Sequence, residues 1–316
     1  MIQIRGLVKR YGAFTAVDSL DLNVPRGGIY GFLGPNGAGK TSTIMMVLGI
    51  TRPTAGEIRL FGEAYTPNRI ELRRRIGVVP EKHPRGGWQW MTAGEYLRLF
   101  ADLFRVPQAS RRIETLLERV ALGTVRDKRI REFSQGMLQK LSFVRALLPD
   151  PDLLLLDEPI SGLDPLGIKQ VRDLILEENR EGRTVFISSH QLSEMERLCN
   201  RVAIISRGRL MVEDEMRAVL SRIGATRELR VELEHPPGDL GERVGKLPFV
   251  RESFLQGNVL VVRVGREGDH RREVSEHLFR LGFVPLSLEE RAPSLEEAFV
   301  TLTQENIALL APRGRP

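Results

Sequence analysis

Cysteine is nearly missing from these 316 residues: Cys199 is the only one. One thiol closes no disulfide framework and builds no cysteine-based metal site within a chain, so a buried, inert side chain is its expected role. No stretch reaches about 18 consecutive apolar residues, which excludes a membrane-spanning helix. The opening residues, MIQIRGLVKRYG, lack the apolar core of a signal peptide and read straight into a strand, so the protein is expected to stay in the cytosol. Charge of one sign is also scarce. Lys and Arg number 47 against 41 Asp and Glu, a formal +6, and no five basic residues are consecutive. Arg73, Arg74 and Arg75 form the longest cluster, and a solvated helix face accounts for them as well as a phosphate track does. No repeat of solenoid period is present.

What is there is concentrated. The stretch Gly34 to Ser42, GPNGAGKTS, satisfies G-x-x-x-x-G-K-[ST] with Gly34, Gly39, Lys40 and Thr41, and Asn36, Gly37 and Ser42 complete it. It follows the apolar run Ile29 to Leu33 and precedes a helix-like run, Thr43 to Gly49, which is the context a phosphate loop requires. Glycines let consecutive N–H groups point at phosphate oxygens, the helix start adds partial positive charge, and the Lys40 ammonium can reach the outer phosphates. Thr41 is placed to offer its hydroxyl to magnesium. Nucleotide binding is the resulting expectation.

With 41% hydrophobic and 28% charged residues, the chain can bury one sizeable core and a smaller one, so two domains are expected. Strands are predicted around Ile2 to Leu7, Leu20 to Val24, Gly56 to Phe61 and Ile76 to Val79, with Tyr11 between the first two. Residues 84–150 read as a helical insertion: Thr92 and Glu95 make a capping-box signature, Ile113, Leu116, Leu117 and Val120 share a face, and a helix starts near Ser134. Trp88 and Trp90, the only tryptophans, fall at its entrance, where they suit either a partner-binding patch or packing within the insertion. LLLLDEP then ends an apolar strand in two carboxylates, as a central parallel strand does. Asp164 with Pro165 starts a helix that Gly182 closes, and Thr184 to Ser189 is a further buried strand leading to His190. A three-layer α/β domain is expected over 1–215, then a helix and linker over 216–226. Residues 227–305 read as a smaller α+β domain of order β-α-β-β-α-β, a ferredoxin-like arrangement with Val284 to Leu288 as its last strand, Ser294 to Leu302 as an added helix, and 306–316 as a tail.

These residues resemble one family, the ATP-binding subunits of ABC transporters. The resemblance covers about residues 1–215 and rests on ordered motifs: KRYG around Tyr11, GPNGAGKT, Glu81 after IGVVP, FSQGMLQK at 133–140, LLLLDEP at 153–159, SGLD at 161–164 and SSHQLSEME around His190. It implies a phosphate-loop ATPase fold, ATP and magnesium as ligands, and coupling to transport. Hydrolysis needs a charge clamp, a magnesium ion and a positioned water. Lys40 and the loop amides are the clamp, Thr41 and Asp157 suit the ion, and Glu158 can orient or deprotonate the water. A histidine at a strand end is ordinarily structural. The resemblance assigns His190 to the γ-phosphate, Tyr11 to adenine stacking and Glu81 to the neighbourhood of the ion. It further implies a head-to-tail pair of ATPase subunits, read here as two copies, in which Ser134, Gly136 and Asp164 close over the ATP of the other.

Three positions depart from the family pattern. Glutamine replaces glycine at Gln135, methionine replaces glutamine at Met137, and Glu81 stands where glutamine is usual. The segment APSLEEAFVTLT resembles accessory domains of exporter ATPases, so export through separate transmembrane subunits is expected, with the chain peripheral on the cytoplasmic face of the membrane. The alternative is a soluble relative acting on ribosomes or nucleic acid; such relatives carry paired ATPase domains or a long coiled coil, and neither is present here, so no nucleic acid is expected.

Overall fold

Alternating apolar side chains build the first sheet. Ile2, Ile4 and Leu7 of β1 (Ile2–Tyr11) and Leu20, Leu22 and Val24 of β2 (Phe14–Val24) are buried in one core. In this computed structural model, which describes residues 1–66, 69–81, 87–223, 226–265 and 268–291, β1 runs on through irregular register to Tyr11 rather than stopping before it. Gly12 and Ala13 turn the chain, and Tyr11 pairs with Phe14. After β3 (Ile29–Leu33) and α1 (Lys40–Val47), β4 (Ala55–Leu60) and β5 (Glu63–Ala64) complete an antiparallel sheet of order β2-β1-β4-β5.

The second sheet is the central one. The chain continues through α2 (Ile70–Arg74), β6 (Ile76–Val79), α3 (Ala93–Phe104), α4 (Ala109–Arg119), α5 (Gln135–Leu147), β7 (Leu153–Asp157), α6 (Pro165–Arg180), β8 (Thr184–Ser189), α7 (Leu192–Leu198), β9 (Arg201–Ser206) and β10 (Arg209–Glu215). These five strands and β3 lie in the order β10-β9-β3-β8-β7-β6, parallel except for β10. β3, β7 and β8 are buried along their whole length, which is why their sequences read as unbroken apolar runs instead of alternating ones.

Between β6 and β7 lie α3, α4 and α5. Both halves of the Thr92–Glu95 capping box form, and the Ser134 hydroxyl caps α5. The two tryptophans part company. Trp88 packs edge-on to Tyr96 at 5.9 Å and beside Phe100 at 5.8 Å, whereas Trp90 is 63% exposed with the Arg131 guanidinium 4.5 Å over its ring. α4 is tied to α6 by charge: Arg119 meets Glu177 and Glu178, each at 3.1 Å, and Glu181 at 2.6 Å. Arg183 takes the other oxygen of Glu178 at 2.8 Å. Glu178 is fully buried, and that burial pushes its carboxyl above the usual range even though two guanidiniums oppose the shift.

The chain divides into two compact units, Met1–Met216 and Arg217–Pro316. From their boundary, α8 (Met216–Ile223) leads to β11 (Thr226–Glu232), α9 (Leu240–Val244), β12 (Val250–Gln256), β13 (Val259–Gly265), α10 (Arg271–Arg280) and β14 (Ser287–Arg291). These strands form one antiparallel sheet of order β12-β13-β11-β14. Leu229, Val231, Leu260 and Val262 of the sheet meet Leu240 and Val244 of α9 and Val274 and Leu278 of α10 in a separate core. The last strand starts later than its apolar residues suggest. Val284 and Leu286 are exposed, and pairing with Glu228–Glu232 begins at Ser287, so backbone partners rather than hydrophobicity set its position. The expected helix over 294–302 and the tail lie outside the described residues.

Candidate functional site

The turn from β3 into α1 is shaped by glycine. A Cβ on Gly34 would sit 2.3 Å from the Ile205 carbonyl oxygen, and one on Gly39, where φ is +106°, would sit 2.5 Å from that of Ala16. Both positions therefore require the smallest residue. Lys40 opens the helix, yet its side chain folds back: Nζ donates to the Gly34 carbonyl at 2.7 Å and the Pro35 carbonyl at 3.3 Å. The same ammonium lies 3.2 Å from Glu158 Oε1, with both side chains more than nine-tenths buried.

The parallel pairing of β7 with β8 brings the acids to the loop. Asp157 lies opposite Ser188, so Glu158 and His190 emerge side by side at the carboxyl ends of adjacent strands. Glu158 Oε2 is 2.8 Å from His190 Nδ1, and the Glu158 N–H donates to Ser188 through its carbonyl at 3.1 Å and its hydroxyl at 3.2 Å. Its φ of +48° is left-handed, an uncommon conformation for a side chain of this size. Beneath it, Asp157 accepts from the Ser188 hydroxyl at 2.5 Å. Burial pushes the Asp157 carboxyl above its ordinary range, hydrogen bonds from Ser188 and Thr41 pull the other way, and the neighbouring Glu158 and Glu81 add to the rise.

A cavity of about 330 Å³ opens over these groups. The loop lines it with Asn36, Gly37, Gly39, Lys40, Thr41 and Ser42, and Glu81, Glu158 and His190 line the facing side. Ser161 completes the lining and was not among the residues expected there; its only signal is its place in SGLD, three residues after Glu158, where its N–H donates to the Glu158 carbonyl at 3.2 Å. Gly34, bonded through its carbonyl to Lys40, and Asp157, next in sequence to Glu158, touch lining residues without lining the cavity themselves. The remaining predicted residues lie outside it. Tyr11 is 46% exposed at the β1–β2 turn with Lys9 Nζ 4.9 Å from its ring centre. The Ser134 hydroxyl accepts from the Met137 N–H at 3.3 Å, Gly136 lies in the first turn of α5 with open space around it, and Asp164 caps α6 by accepting from the Gly167 N–H at 2.9 Å. Among the described residues no three His, Cys, Asp or Glu side chains gather into a self-sufficient metal cage. A buried carboxylate beside a threonine hydroxyl is instead an oxygen-only donor set for a magnesium ion, which keeps waters and phosphate oxygens as its other ligands.

A glycine-shaped loop between a buried parallel strand and a helix, faced by acids from two neighbouring strands, defines an α/β nucleoside triphosphatase of the phosphate-loop class. Residues 17–161 match the family model described as ABC transporter. The chain is 46% identical over 214 residues to a bacitracin transport ATP-binding protein of Bacillus licheniformis, covering 67% of this chain and 69% of that one. It is 36% identical over 310 residues, 96% of each chain, to a Nod factor export ATP-binding protein I of Burkholderia thailandensis. A solved ATP-binding subunit of an ABC transporter superposes with a TM-score of 0.65 at 30% identity, over 71% of this chain and 93% of that one. The chain therefore belongs to the ABC transporter ATP-binding proteins and is an ATP-hydrolysing subunit of that family.

Proposed function

We propose that this ATPase drives export through transmembrane subunits on separate chains, closing as a head-to-tail pair of identical copies over two ATP molecules and reopening on hydrolysis. Lys40 and the loop amides hold the β- and γ-phosphates. Thr41 and Asp157, with Glu81 nearby, would hold magnesium, which when bound neutralises charge gathering on the phosphate oxygens. Glu158 orients the attacking water and accepts its proton, and His190, whose ring nitrogen bonds the same carboxylate, keeps Glu158 aimed and reaches the γ-phosphate. Tyr11 stacks on adenine. Ser134 and Gly136, at a helix start that its own loop does not use, and Asp164 cover the nucleotide of the other copy.

One observation carries the catalytic reading: a single buried carboxylate, Glu158, bridges Lys40 at 3.2 Å and His190 at 2.8 Å at the mouth of the loop. The Nod factor relative is named for export, which supports the outward direction. No helix among the described residues is long and apolar enough to cross a membrane; in this reading separate chains carry the pathway and hold this subunit at the cytoplasmic membrane face. Exposed Trp90 is available to such a partner. The second unit, with its β-α-β-β-α-β order, serves as a ferredoxin-like accessory domain. Glu158→Gln tests the core of this reading. The variant should bind ATP as the parent does, lose turnover by at least about a hundredfold, and accumulate as an ATP-bound dimer in light scattering. Parental turnover would remove Glu158 from its role.

A further inference from the structure

Phe14 is a large apolar side chain that the fold leaves without employment. It is 63% exposed, it closes the β1–β2 turn opposite Tyr11, and neither ring stacks on another aromatic among the described residues. A phenyl ring left in water is unfavourable unless something covers it. The phosphate loop lies two residues further along β2, where the Ala16 carbonyl occupies the place a Cβ on Gly39 would have to take. Tyr11 offers only one free face, because Lys9, anchored by a bond from Nζ to the Arg52 carbonyl at 2.7 Å, lies over its ring. Tyr11 and Phe14 are direct cross-strand partners, so a base that stacks on Tyr11 has the Phe14 ring as its neighbour.

We propose that Phe14 is a second base-contacting ring, which with Tyr11 forms an aromatic seat for the nucleobase and makes the site favour purine over pyrimidine triphosphates. The inference rests on the nucleotide reading above and deepens it. Stacking is indifferent to hydrogen-bond pattern but grows with π-surface, so a purine gains more from the added ring than a pyrimidine does. The phosphates, held by Lys40 and the loop amides, gain nothing from it.

Equilibrium titrations of the full chain with ATP, CTP and inorganic tripolyphosphate separate these contributions. Phe14→Ala should weaken ATP by about five- to thirty-fold, CTP by less, and tripolyphosphate not at all, while Phe14→Trp keeps ATP affinity at the parental level or above. Unchanged ATP affinity in Phe14→Ala, or equal loss for all three ligands, overturns the assignment. The parent protein reports on the underlying reading separately. If it binds tripolyphosphate as tightly as ATP, base recognition at this turn is wrong as a whole; if it binds neither, the phosphate-loop assignment goes with it.

Discussion

At the residue scale, the site sets chemistry against stability. Asp157 is buried beside Glu158 and Glu81, and its carboxyl is raised by that burial. A carboxyl whose folded value exceeds its unfolded value lends stability that is fully present below the unfolded value and is lost as pH climbs through the folded one. Near neutral pH, well above the unfolded value, Asp157 therefore weakens the fold. Asp157→Asn should raise the melting temperature of nucleotide-free protein at pH 7 by about 2–4 °C, an advantage that shrinks toward pH 4, while magnesium-dependent ATP binding is lost. A variant that melts lower at pH 7 would contradict this account. Cys199 carries no such tension: it is buried, its thiol is pushed up by desolvation, and its sulfur packs where a side chain on Gly31 would go. It should stay unreactive toward a thiol reagent until the protein is unfolded, and rapid labelling of native protein would count against its burial.

Elements are held together by groups that look unremarkable in sequence. Glu178 falls in LEENR, a string that reads as a solvated helix face, yet it is fully buried between Arg119 of α4 and Arg183. Arg119→Ala would leave that carboxylate with one partner, at a cost of about 2–3 kcal/mol because removing half of a buried pair strands the other half. Urea unfolding checks this, and the double variant Arg119→Ala with Glu178→Gln should recover part of the loss. The contrast explains what was legible beforehand. The phosphate loop, the Thr92–Glu95 cap and the Ser134 cap are local, so spacing alone reveals them. The Glu158–His190 contact spans 32 residues and forms because the strands they follow, β7 and β8, pair in the sheet. The Lys40–Glu158 pair, the Glu178 lattice and the late start of β14 depend on side chains or strands that meet through the fold, and no window of sequence contains them.

For the whole molecule, the proposed dimer makes each active site a joint product of two chains. Gly136 has open space around it, so Gly136→Glu should fold normally while blocking the surface offered to the other copy. Lys40→Ala instead disables a chain's own loop. Neither variant should hydrolyse ATP alone; mixed in equal amounts, they should regain about a quarter of parental activity, because half the dimers carry one intact composite site. Activity of the mixture no higher than that of its components would show that each chain works by itself.

β3 supplies the phosphate loop, and its partners are β8 and β9; Gly27, just ahead of it, is tied to Thr184 across 157 residues. On the ribosome, then, the loop that marks this protein emerges among the first forty residues but has no sheet to rest on until nearly two hundred have been translated. The nascent chain must carry its most recognisable segment unformed through most of synthesis, and a translational pause placed before residue 184 would expose β3 to aggregation far more than one placed after residue 206.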